Sequence, residues 1–277
     1  MRKRGQVSPD AELSEESGDR QFITALARGL SLLPFLANGE ILGTTDLAKR
    51  SGLSNAVVSR LCYTLAHLRY MEYLPEFGKY RLGDAALSLG YLYMASDLVS
   101  HVARPLMIEL AKFAQVPVGI GYRQGFNIVQ IAMEGAQDHL SLRQGVGSAS
   151  PLERTAMGNA YLIGLDSGER EELLEQIATT VPDIESVRPH IDANLALYAD
   201  KGFCINDRTW LPHIRAVGVP LRMRDSGRVL AFNCGGIADF LELGFLMNEV
   251  GPRLVALVQE VEGILESQSR TRAEQGA

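Results

Sequence analysis

Between Thr44 and Met71 the apolar positions recur at helical spacing in two bursts, separated by a glycine. Leu47 and Ala48 mark a first short helix, which Thr44 or Thr45 can cap. Gly52 stops it, because glycine takes the left-handed C-terminal conformation at little cost. Leu53 then turns toward the core, and Ser54 is a good N-cap for the next helix. In that helix Val58, Leu61, Leu65 and Leu68 recur at spacings of three and four and predict one buried stripe. Asn55, Ser59 and Cys62 fall on a different face, with Arg60 beside them. Tyr70 to Leu74 is rich in β-forming residues, Pro75 to Lys79 is turn chemistry, and Tyr80-Arg81-Leu82 returns before Gly83. A short helix, a glycine turn, a longer helix and a hairpin form the pattern of a winged helix-turn-helix. Such a unit either reads DNA or docks another protein.

Elsewhere the pattern predicts an apolar helix over 22–37, with Ile23, Leu26, Leu30 and Leu33 on one face. Pro34 should bend its last turn. Asp84 is placed to cap a linker helix reaching about Met94, with Leu87, Tyr91 and Met94 on one side. That is more apolar surface than a free linker shows, which points to a partner. A helix from about Val102 to Ala114 follows, with Leu106, Leu110 and Phe113 facing inward. The period then changes to short β-like runs at Val116–Arg123, Phe126–Met133 and His139–Arg143. Helical patterns cover Thr155–Leu165, Glu169–Ala178 and Ile191–Asp200. Strands are expected at Phe203–Asp207, Ile214–Arg222 and Val229–Cys234, with a closing helix from Asp239 to about Glu266. Antiparallel-type strands with helices gathered around them make an α+β domain. The expected division is a tail over 1–19, a winged helix-turn-helix over 20–83 and a linker helix over 84–100. A sensor domain over 101–268 and a tail over 269–277 complete it.

Charge sharpens this picture. The 277-residue chain carries a formal −6, yet from Arg20 to Gly83 eight Lys/Arg face four acids, a local +4. A basic module on an acidic protein fits one nucleic-acid-binding unit attached to something else. No apolar run approaches the roughly 18 residues of a membrane span, and the polar first twenty residues hold no signal-peptide pattern. A cytoplasmic protein is expected. Cys62, Cys204 and Cys234 lie far apart and fit neither a zinc ligand set nor a disulfide framework, so neither metal nor cofactor is expected.

From about 20 to 267 the chain resembles the IclR family of bacterial transcriptional regulators. The resemblance rests on LSNAVVSRL in the winged helix, YRLGDAALSLG at the wing exit and SPLERTAMGNAYL in the middle. GFCINDRTWLPHIRAVGVPL and AFNCGG follow in the family's order. It implies a GAF-like α+β effector-binding domain, a homodimer or homotetramer and an operator with two-fold character. It also implies control of catabolic genes by a small organic acid. The implied DNA-binding residues are Ser54, Asn55, Ala56, Ser59 and Arg60 at the exposed start of the recognition helix, with Lys79 on the wing. Val57 either meets a thymine methyl or turns to the core. The implied effector site comprises Leu142, Ser150, Ala156, Met157, Asn206, Ala216, Asn233 and Gly235. Helix-start N–H groups at Ala156 and Met157 suit a carboxylate. The family more often has an acid at Asn206, a Cys at Ala216 and serines at Asn233 and Gly235. Their exchange implies a wider, less charged pocket and favours a larger organic acid, aromatic acids included, over a two- or three-carbon one.

Enzyme chemistry finds little support. No GxGxxG, GxxxxGK[ST], HExxH or GxSxG is present. Cys234 has no histidine near it in sequence, and His213, His67 and His101 suit rim or structural roles. The alternative to a transcription factor is an enzyme or adaptor that uses the winged helix as a protein-binding module.

Overall fold

A computed structural model describes residues 22–135, 145–181 and 183–275. The chain divides after Ser96 into two compact units. In the first, α1 (Thr24–Leu30) and a 3₁₀ segment (Leu33–Gly39) precede α2 (Thr44–Ser51) and α3 (Asn55–His67). The expected single helix over 22–37 is thus two elements, and Pro34 sits in the first turn of the second. The 3₁₀ turn accommodates a residue without an N–H where a continuing α-helix would lose a bond. Leu32 and Leu36 enter the core, while Ile23, Leu26 and Leu30 face outward.

Gly43, not a threonine, caps α2, and the Asp46 carboxylate accepts from the Gly43 N–H at 3.3 Å. Gly52 ends α2 at φ 69°, as its sequence position predicts. Ser54 caps α3 by accepting from the Val57 N–H at 3.4 Å. The buried stripe of α3 is Val58, Cys62 and Leu65. Cys62 therefore belongs to the core and not to the outer face, and Leu68 is 57% exposed. Leu68 is the C-cap, beyond the last helical residue, and no longer follows the helical phase. The wing pairs β1 (Met71–Leu74) with β2 (Lys79–Leu82), antiparallel. The following helix α4 (Asp84–Ser96) starts at Asp84 itself and buries none of its residues.

The second unit is built on one six-stranded antiparallel sheet in the order β5-β4-β3-β8-β7-β6. The strands are β3 (Val118–Gln124), β4 (Asn127–Glu134), β5 (Ala149–Pro151), β6 (Cys204–Asp207), β7 (Ile214–Arg222) and β8 (Val229–Ile237). The expected strand at 139–143 lies outside the described residues. Period-two alternation sends Val118, Ile120, Val217 and Phe232 to one face, where α5 (Leu98–Ala114) and α10 (Gly251–Gln275) cover them. Of the α5 residues expected inside, Leu110 is buried, Leu106 is partly buried and Phe113 is exposed. Phe113 packs beside Phe245, with the Arg253 guanidinium 4.0 Å over its ring. The chain enters α10 through a short helical turn α9 (Leu243–Phe245) and a π-helical turn at Leu246–Val250.

The other sheet face carries α6 (Ala156–Gly164), α7 (Ser167–Ala178) and α8 (Ile184–Lys201) over a second core of Ile128, Leu152, Leu174 and Ile191. Helix α8 begins seven residues before its expected start. Pro189 lies within it and removes one backbone bond without ending it. Helix α6 lies almost on the strands. A β-carbon on Gly218 would stand 2.4 Å from the Ala156 carbonyl, and one on Gly158 2.1 Å from the Leu152 carbonyl. Among the described residues no helix is long and apolar enough to cross a membrane.

Candidate nucleic-acid interface and ligand cavity

Ser54, Asn55, Ala56, Ser59 and Arg60 are all exposed along the start of α3, and Val57 is half-buried. Lys79 opens the second wing strand and is exposed. Ion pairing sorts the cations of this unit. Arg50 pairs with Glu40 at 3.0 Å, Arg81 with Glu72 at 2.8 Å, and Arg69 with Asp84. Among the described residues Lys49, Arg60 and Lys79 have no such partner, so their charge is available to phosphate. Lys49 was missed in the sequence reading. Its place in the last turn of α2 was the signal, since that helix crosses the backbone in the helix-turn-helix arrangement. Asn55 Nδ2 donates to Thr45 Oγ1 at 3.4 Å, which ties the starts of the two helices together.

In the second unit a cavity of about 50 Å³ opens between the sheet and the start of α6. Ser150, Ala156, Met157, Asn206, Ala216, Asn233 and Gly235 all line it. Leu142 lies outside the described residues. Elements 85 positions apart in the chain thus meet at one concavity, because β8 and β7 run under the N-terminus of α6. Thr155 caps that helix through Oγ1, which accepts from the Gly158 N–H at 3.0 Å. Ser148, Thr155, Trp210 and Ile214 line it too, within the segments 142–157 and 206–216 expected to form the pocket, whereas Ile128, Gln130 and Gly236 were missed in the sequence reading. Strand alternation held a signal for two of them, since Ile128 and Gln130 share a face opposite Val129 and Ile131.

The Asn206 carboxamide is engaged within the protein. It is buried, and its Nδ2 donates to the Arg154 carbonyl and to Thr209 Oγ1, both at 2.5 Å. Its Oδ1 accepts from the Trp210 N–H at 3.4 Å. The Asn206 carboxamide therefore shapes the cavity wall, and both of its donors are engaged by the protein.

The profile of the IclR helix-turn-helix domain matches residues 25–75, and that of the bacterial transcriptional regulator IclR C-terminal domain matches residues 92–235. An IclR family transcriptional regulator from Brucella abortus is 33% identical in sequence. Its crystal structure superposes with a TM-score of 0.83 over 94% of this chain and 99% of that one. The chain belongs to the IclR family of bacterial transcriptional regulators. The HTH-type transcriptional regulator TsaQ1/TsaQ2 of Comamonas testosteroni is 27% identical over 90% of both chains. An IclR homologue from Microbacterium hydrocarbonoxydans, crystallised with 4-hydroxybenzoate, shares the fold. It has 17% identity and a TM-score of 0.65 over 88% of this chain and 99% of that one.

The three cysteines of this IclR regulator are buried. Burial pushes the thiol of Cys62 up to about 11 and those of Cys204 and Cys234 to about 12. Thiolate, the reactive form, is then scarce at neutral pH, which makes all three poor nucleophiles. Behind the cavity wall a polar network continues. Thr209 Oγ1 lies 3.4 Å from His190 Nε2, and Asn194 Nδ2 lies 3.1 Å from the same nitrogen. Asn194 Nδ2 also donates to Asn159 Oδ1, and Asn194 Oδ1 accepts from the Ile205 N–H. His190 Nε2 must accept in this network, so the ring is neutral. Burial holds its pKa below the ordinary 6.5.

A pH dependence follows. Below about 6.5 the unfolded chain protonates His190 while the folded chain resists, so the unfolded state binds more protons and stability falls with falling pH. Thermal melts from pH 7.5 to 5.5 should show a steeper loss of Tm for the parent than for His190→Gln. Parallel profiles would remove His190 from the account.

Proposed function

We propose that this regulator binds a two-fold operator through α3 and the wing, and that a small organic acid in the α6 cavity controls that binding. The observation that carries the effector half is the convergence of seven residues from five separate elements on one cavity at a helix N-terminus. Helix dipole and free N–H groups there favour an anion. The DNA half rests on an exposed recognition face flanked by Arg60 and Lys79, which have no ion-pair partner among the described residues. Catabolic genes are the proposed targets, and the 4-hydroxybenzoate held by the Microbacterium homologue places aromatic acids among the effectors worth testing. At about 50 Å³ the cavity must enlarge to admit one. Met157, an unbranched and adaptable side chain, is the wall residue best suited to yield.

A gel shift with the gene's own upstream region, with and without organic acids, tests the proposal. A shift that an acid strengthens or releases is expected. No shift at any acid concentration would return the winged helix to a protein-binding role.

A two-fold operator requires paired winged domains. The outward apolar faces of α1 and its N-cap (Ile23, Leu26, Leu30) and of α4 (Leu87, Tyr91, Leu92) are the surfaces offered for that pairing, each of these residues being at least 46% exposed. Sedimentation at micromolar concentration should find a homodimer or homotetramer. A stable monomer would contradict the pairing.

A further inference from the structure

We infer that the carboxamides of Gln130 and Asn233 form a specificity clamp for a hydroxyl group on the effector, which makes the ligand class a hydroxy acid. The inference rests on the effector reading of the α6 cavity and narrows it. Gln130 comes from β4 and Asn233 from β8, the two strands that flank β3. Between them β3 presents Gly119. A β-carbon there would stand 2.7 Å from Gln130 Nε2 and 2.8 Å from Asn233 Oδ1. The missing side chain is what lets the two carboxamides converge over the strand. Among the described residues neither carboxamide has a hydrogen-bond partner, and both line the cavity.

The cavity therefore has two chemically different ends. At the start of α6 the N–H groups of Ala156 and Met157 have no helical acceptor, and they can only donate. A carboxylate, which can only accept, matches them. The Gln130–Asn233 end offers carbonyl oxygens as well as NH₂ groups. A carboxylate cannot satisfy a carbonyl, whereas a hydroxyl donates to one amide and accepts from the other. Among the described residues no charged side chain lines the cavity, so discrimination there falls to these neutral groups. A site built to hydrogen-bond a hydroxyl rejects the analogue that lacks it, because its own polar groups are then left unpaired. The volume, about 50 Å³, is far below the few hundred Å³ or more usual for a drug-sized ligand. That points first to a short-chain hydroxy acid.

The test uses the full-length protein and matched acids: glycolate with acetate, lactate with propionate, and 4-hydroxybenzoate with benzoate. Thermal shift and calorimetry should show at least tenfold tighter binding of the hydroxylated member in one pair or more. Gln130→Leu and Asn233→Leu should each erase that preference and leave the weaker binding of the simple acid in place. If a leucine variant melts early, Gln130→Met, closer in shape, carries the same expectation. Equal binding within every pair, or a preference that survives the substitutions, would overturn the clamp while leaving the effector reading intact. Binding of none of the six acids would overturn both.

Discussion

Gly158→Ala is expected to destabilise the effector domain by about 3 kcal/mol or more, a large part of the 5–15 kcal/mol that holds a typical domain folded. The new β-carbon would stand 2.1 Å from the Leu152 carbonyl oxygen and 2.5 Å from its Cα. Both are backbone atoms, so no side chain can swing aside. Helix α6 would have to lift from the 151–155 segment. That movement would also disrupt the hydrogen bond from the Gly158 N–H to Thr155 Oγ1, a cap worth about 1 kcal/mol. It would carry Ala156 and Met157 away from the cavity as well. Gly168→Ala is the control. Its β-carbon would meet only Asp166 Oδ1, at 3.5 Å, and alanine is the better helix former by about 1 kcal/mol. Urea melts should therefore move in opposite directions for the two variants. A Gly158→Ala midpoint equal to the parent's would mean that α6 does not press on the 151–155 segment as described.

Gly52 and Ser54 act on their immediate neighbours, so the turn between α2 and α3 and the start of the recognition helix were legible from residue type alone. The strand spans at Ile214–Arg222 and Val229 onward followed from short apolar runs bounded by turn residues. The capping of α2 by Gly43 and Asp46 was not legible, because Thr44 and Thr45 offered equally good chemistry one residue on. Cys62 fell to the wrong face because Leu61 and Cys62 both fit three-and-four spacing between Val58 and Leu65, and packing buries Cys62 while leaving Leu61 half-buried. Strand β5, three residues long and ending in a proline, has too little pattern to detect. The cavity was legible only through family resemblance. Its residues lie on elements whose proximity depends on β8 pairing with β3 and β7, a long-range choice that no local spacing encodes. Asn206 lines the cavity, but its hydrogen bonds to Arg154 and Thr209 could not be read from the chain, because those residues become its neighbours only on folding.

Ser59→Glu should abolish specific operator binding while leaving the fold intact. Ser59 is exposed, four residues after Asn55 and beside Arg60, so it shares the face expected to enter the major groove. The core side of α3, Val58, Cys62 and Leu65, is untouched by the change. Glutamate is also a better helix former than serine, so the thermal midpoint should not fall. In the groove the effect is different. Losing one good base-edge contact costs roughly 1–3 kcal/mol, and a carboxylate placed between two phosphate strands adds repulsion and desolvation. A loss of about a hundredfold or more is expected. Ser59→Ala, which removes the hydroxyl without adding charge, should lose no more than about tenfold. Salt separates charge from shape. The added negative charge opposes the counterion release proposed for Arg60 and Lys79, so the slope of log affinity against log salt should shallow by about 0.9 in Ser59→Glu. Arg60→Ala should shallow it by a similar amount, and Ser59→Ala should leave it unchanged. A Ser59→Glu protein that bound the operator with the parent's affinity and salt slope would place the recognition face elsewhere on the winged domain.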